Sequence, residues 1–102
     1  MEKIHAQDSL GLSVIIITKN EARNIAACLE SVRFADEILV LDSGSTDGTV
    51  EIARNLGAIV HQSEIWPGFG PQKNRVLDLA TRPWVLAIDA DELVTAQLRD
   101  EI

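Results

Sequence analysis

The feature that most constrains this chain is a fourfold alternation. Four short apolar runs, LSVIIIT at 12–18, EILVLD at 37–42, AIVHQ at 58–62 and WVLAID at 84–89, are separated by segments with helical patterning or turn chemistry. LSVIIIT is β-branched and apolar at successive positions, which suits a strand covered on both faces inside a parallel sheet. Parallel neighbours need crossovers of a dozen or more residues, and the intervening segments supply them. Asn20 is the expected cap of a helix over 22–32, where Ile25, Cys28, Leu29 and Val32 form one apolar stripe. SGSTDGT at 43–49 is turn chemistry, with Asp47 expected to cap a helix over 49–56 that Gly57 stops. A third helix is expected over 72–80, ahead of Pro83, and Thr95 is placed to cap a last one. Right-handed crossovers leave few topologies. The simplest is an α/β fold, a three-layer, Rossmann-like, doubly wound parallel sheet of strand order 3-2-1-4. Residues 1–11 are polar and read as a flexible lead-in.

Composition narrows the function. The chain has 102 residues, 46% hydrophobic, which is enough for one small core. Sixteen acids against nine Lys and Arg give a formal charge of −7, and there is no basic stripe, so nucleic acid is excluded as a partner. Cys28 is alone, which excludes a disulfide framework; core packing is its expected role. The longest apolar run, residues 14–17, is far too short to span a bilayer, and no signal-peptide pattern opens the sequence. A cytoplasmic setting fits these features, including work at the inner face of a membrane.

In a doubly wound sheet, ligands bind at the carboxyl ends of the strands beside the switch point. Here those ends carry Thr18, Lys19, Asn20 and Glu21, then Asp42, then Asp89 and Asp91. TKNEARN follows the first strand in place of GxGxxG, and no GxxxxGK[ST] follows any strand. A phosphorylated ligand would therefore meet a divalent cation instead of a glycine cradle. Asp89-Ala90-Asp91 has the spacing for one, because residues two apart share a side if strand geometry continues. Two carboxylates plus phosphate and water suit Mg²⁺ or Mn²⁺. The plainer alternative is a strand ending in solvated acids. Against it, like charges about 4 Å apart repel by roughly 4 kcal/mol at an effective dielectric near 20. Asp42 is open between bonding its own turn and accepting from a base or ribose. Lys73 and Arg75 are open between a solvated helix face and a phosphate contact. Trp66 and Phe69 could anchor a loop or wall a sugar pocket. His5 and His61 have no ligand-spaced partners.

SVIIITKNEARNIAACLESV, EILVLDSGSTDGT and GPQKNRVLDLATRPWVLAIDADE, in that order, resemble the start of the family 2 glycosyltransferases of GT-A type. The resemblance covers about residues 12–92. DSGSTDGT, WPGFGPQKN and IDADE are further similar to the branch holding bacterial lipopolysaccharide inner-core β-1,4-glucosyltransferases. What it implies is inverting, metal-dependent transfer of a hexose, glucose in that branch, from a UDP-sugar to a glycan or lipid-linked acceptor. Residues 12–102 would be the nucleotide-sugar-binding portion, inactive alone, with the general base downstream of Ile102. Thr18, Lys19 and Glu21 would lie against uracil or ribose, and Asp42 would read the base. Lys73 would face the nucleotide, Asp89 would contact ribose or support the metal, and Asp91 would bind the metal. Glu92 extends the motif as an alternative ligand. The sequence departs from the family at Lys19, where many members carry an aromatic residue that stacks on the base. An unpaired outer edge on the fourth strand would favour a homo-oligomer, and a lipid-linked acceptor would bring the protein to a membrane surface.

Two readings compete with this one. A non-catalytic α/β interaction or regulatory module would keep the shape without affinity for metal or nucleotide. A phospho-acceptor signalling domain would need an acid pair after the first strand, where TKNE offers one acid.

Overall fold

The computed structural model describes residues 11–63 and 78–101. The helix expected over 72–80 lies outside this set except for its last residues, of which 78–79 are helical. Lys73, Arg75, Trp66, Phe69 and His5 also lie outside it.

The described elements run β1 (Leu12–Thr18), α1 (Ile25–Ser31), β2 (Glu37–Asp42), α2 (Thr49–Asn55), β3 (Ile59–Gln62), β4 (Trp84–Asp89) and α3 (Ala96–Glu101). All four strands are parallel, in the order β3-β2-β1-β4, as the crossover rule predicts. Thr18 pairs with Asp42, and Ile17 with Asp89, so three strands end level at one rim.

Both faces of β1 are buried, which is why its sequence does not alternate. Leu12, Val14 and Ile16 point toward α1 and α2, meeting Ile25, Cys28, Leu29, Val32, Val40 and Ala53. Ile15 faces the other way, with Leu39, Leu41 and Ile17, and Ala80 packs against that face from the β3–β4 connection. Ile16 and Ile25 are wholly inaccessible, and burying each such side chain contributes about 1.5–3 kcal/mol.

Helix boundaries depart from expectation in instructive ways. α1 begins at Ile25, not at 22, because the Glu21 carbonyl accepts from both the Asn24 and Ile25 N–H groups and closes a turn first. Asn20 does not cap it. It sits in the left-handed region at φ 56° and bonds elsewhere. α2 begins after Gly48, and Asp47, one position further out, accepts from the Thr49 N–H at 3.0 Å. The far end of α2 follows the sequence: Gly57 has φ 91°. The Gly57 N–H reaches the Arg54 carbonyl and the Ala58 N–H reaches that of Ala53, a Schellman closure. That last bond keeps Ala58 in the helix end, so β3 starts at Ile59. Thr95 caps α3, its Oγ1 accepting from the Leu98 N–H at 3.1 Å.

β4 reads as a buried strand but is not one. Among the described residues it pairs with β1 alone, and Trp84 is 69% exposed. Gly11, in the expected lead-in, is held: its carbonyl accepts from the Trp84 N–H at 2.9 Å.

Candidate functional site

At the rim where β1 and β4 end, a cleft of about 250 Å³ is lined by Ile17, Thr18, Lys19, Glu21, Asp89, Ala90 and Asp91. This is the switch point of the sheet, because β2 lies on one side of β1 and β4 on the other. Five residues singled out in the sequence, Thr18, Lys19, Glu21, Asp89 and Asp91, meet here. Ile17 and Ala90 join them without having been singled out. Ala90, between the two acids, is buried and packs into the core beneath them.

Asp89 and Asp91 both line the cleft, by a route other than the strand pleat. β4 ends at Asp89, and the chain turns through Ala90 and Asp91. The turn is closed in both directions between two residues: the Glu92 N–H donates to the Asp89 carbonyl at 2.9 Å, and the Asp89 N–H donates to Glu92 Oε1 at 2.6 Å. Glu92 is thereby engaged as the clamp of the turn. The Asp89 and Asp91 carboxylates are exposed and take part in no hydrogen bond or ion pair among the described residues, and neither does Lys19.

Glu21, Asp89 and Asp91 bring three carboxylates to the cleft beside one ammonium, that of Lys19, and Cys28 is packed against the cleft. Its buried Sγ lies 3.6 Å from the Asp89 carbonyl. Burial first, then the charges of Glu92, Asp91, Asp89 and Glu21, push its thiol up to about 11. Two free carboxylates on one wall are hard oxygen donors and fit a divalent cation that completes its shell with phosphate and water. Among the described residues no three His, Cys, Asp or Glu side chains form a closed cage, so such an ion would need oxygens from a ligand.

Asp42 stands apart from the cleft. The resemblance assigns it to the base, but it is wholly buried. Its Oδ1 accepts from Thr18 Oγ1 at 2.7 Å and from Ser45 Oγ, and its Oδ2 from the N–H groups of Gly44 and Ser45 at 3.2 and 2.9 Å. A carboxylate offers about four acceptor sites, and these four bonds fill them. Lys73 lies outside the described residues.

The parallel sheet, its strand order and the rim cleft together define a GT-A architecture. The chain belongs to glycosyl transferase family 2, whose family model matches residues 13–99, and so to an enzyme family. It is 48% identical over 92 residues to an uncharacterized glycosyltransferase of Rickettsia felis, covering 89% of this chain and 32% of that protein. It is 38% identical over 95 residues to the lipopolysaccharide core biosynthesis glycosyltransferase LpsC of Rhizobium meliloti, covering 89% and 35%. The chain thus spans about a third of the length of these relatives. Among solved structures it is similar to glucosyl-3-phosphoglycerate synthase of Mycobacterium tuberculosis in complex with UDP, with a TM-score of 0.71 and 32% identity over 80% of this chain and 34% of that one. The same enzyme with Mn²⁺, UDP and glucosyl-3-phosphoglycerate gives a TM-score of 0.69 at 32% identity, over 78% and 33%.

Proposed function

We propose that residues 12–102 form the donor-binding portion of an inverting, metal-dependent glycosyltransferase. The donor is a UDP-hexose, with glucose the favoured sugar, and the acceptor a glycan or lipid-linked glycan of lipopolysaccharide type. The observation that carries this is the meeting of Thr18, Lys19, Glu21, Asp89 and Asp91 in one cleft at the switch point. UDP in the similar mycobacterial enzyme supports the nucleotide. The name of the LpsC relative supports the acceptor class.

In this reading the walls divide the work. Glu21 accepts from ribose or base donors, and the β1 end at Thr18 forms the floor under them. Lys19, in the same cleft, lies with them against uracil or ribose, and Lys73 faces the nucleotide. Asp89 and Asp91 would hold Mg²⁺ or Mn²⁺, which when bound neutralises charge building on the departing diphosphate. Attack by the acceptor hydroxyl needs a general base on the far side of the sugar, and none is assigned within 12–102. The reading places the enzyme in the cytoplasm, peripherally at the inner face of the membrane, with β4 as a self-pairing edge. No helix among the described residues is long and apolar enough to cross a membrane.

Calorimetric titration of the chain with UDP, with and without MnCl₂, tests this. Binding is expected to tighten with Mn²⁺, and Asp91→Ala is expected to weaken it by about tenfold or more, at least the cost of losing a supporting group around a metal. Absence of Mn²⁺-assisted UDP binding overturns the proposal and leaves the non-catalytic module.

A further inference from the structure

We propose that Asn20 and Asp42 are positioning residues of the donor site. They clasp the β1–α1 and β2–α2 loops together and so set Lys19 and Glu21 in the cleft. The inference rests on the donor-site reading and adds to it two residues that act without touching the ligand.

The clasp has an inner and an outer half. The inner half is Asp42, buried at the end of β2, which bonds Thr18 on β1 and the turn 43–45 on its own loop. The Ser43 N–H donates to the Thr18 carbonyl at 2.9 Å beside it. The outer half is Asn20. Its Oδ1 accepts from the N–H groups of Thr46 and Asp47 at 2.8 and 3.4 Å, and its own N–H donates to Ser45 Oγ at 2.8 Å. Two further bonds cross between the loops: the Glu21 N–H donates to Thr49 Oγ1 at 2.9 Å, and the Ala22 N–H to Asp47 Oδ2 at 3.1 Å. Asn20 is the one non-glycine residue at positive φ among the described residues. Asparagine tolerates that conformation better than most residues because its short polar side chain bonds locally. The left-handed kink bends the chain between Lys19 and Glu21, and both neighbours line the cleft.

Asn20 is exposed, so its variants separate positioning from folding. Asn20→Gly keeps the backbone freedom and loses the acceptor; UDP binding with Mn²⁺ is expected to weaken about tenfold, the scale of one or two hydrogen bonds. Asn20→Asp keeps an acceptor oxygen and is expected to restore most of the affinity. Asp42→Asn is expected to weaken UDP, CDP and ADP by similar factors, whereas a residue that read the base would change the preference among them. Glu37→Gln, at the opposite end of the sheet, serves as a control that lowers the melting temperature and leaves UDP affinity unchanged. UDP binding by Asn20→Gly equal to that of the wild type overturns the inference alone, as does a switch from UDP to CDP preference in Asp42→Asn. If Asp42→Asn does not fold, the Asn20 pair decides the matter. A wild-type chain that takes no UDP overturns the donor-site reading and this inference with it.

Discussion

At the scale of single residues, the chemistry of a side chain was legible and its partner was not. Asp42 ends a strand before a turn, and DSGS spacing allows its carboxylate to accept from the N–H groups two and three residues on. The contact that decides its role comes from Thr18, far away in sequence, and a carboxylate whose acceptor sites are filled from within has little left for a base. Asn20 departs from its expected cap role for a similar reason. A helix cap is a local role, while the bonds Asn20 makes are to a loop on the next strand. Cys28 behaved as its apolar neighbours suggested, and its titration gives a test. With the thiol held near 11, thiolate is scarce at pH 8, and only the thiolate is nucleophilic. Native protein is expected to resist iodoacetamide at pH 8 and to label rapidly once unfolded in guanidinium; rapid native labelling would contradict the burial described here.

At the scale of elements, the strands were legible almost to the residue, because unbroken apolar runs between turn residues have few other uses. The pleat is expected to set Asp89 and Asp91 on one side of β4; the chain instead turns after Asp89, with Glu92 clamping the turn, and both acids line the cleft. The amino ends of the strands carry a second polar knot that no sequence pattern announced. Glu37 accepts from Ser13 Oγ at 2.7 Å, from the Thr81 N–H at 3.0 Å and from Thr81 Oγ1 at 2.9 Å, tying β2 to β1 and to the entry of β4. The Ser13 bond foremost, opposed by burial and aided by both Thr81 bonds and the Arg82 charge, holds this carboxyl below its ordinary value. Asp47 is lowered likewise, chiefly by Thr49. A depressed carboxyl stabilises the fold above its unfolded-state value, about 4.3 for glutamate, and the benefit drains away as pH falls through the lower folded value. Urea unfolding is therefore expected to show stability declining below about pH 4.5, with a shallower decline in Glu37→Gln. An unchanged slope in that variant would remove Glu37 from the account.

At the scale of the whole molecule, topology followed from the right-handed crossover rule, and with it the position of the cleft. Exposure did not follow, because sequence shows that a strand is apolar but not whether anything lies beside it. β4 presents Trp84 and Val85 to solvent, and Leu93 and Leu98 are exposed beyond it. An outer strand of that kind is a template for pairing. Sedimentation equilibrium is expected to show average mass rising with concentration, and Trp84→Lys to suppress the rise; a single mass at all concentrations would contradict this.

The cleft lies between β1 and β4, and the register joins Leu12 to Trp84 across most of the chain. Closing so long a loop costs more chain entropy than pairing the nearer strands, and is expected to come late in folding, after the nearer βαβ units. Nucleotide would then find nothing to hold until the rate-limiting step is past. Such a ligand should leave the refolding rate nearly constant and act as a brake on unfolding, lengthening the lifetime of the native state without hastening its arrival.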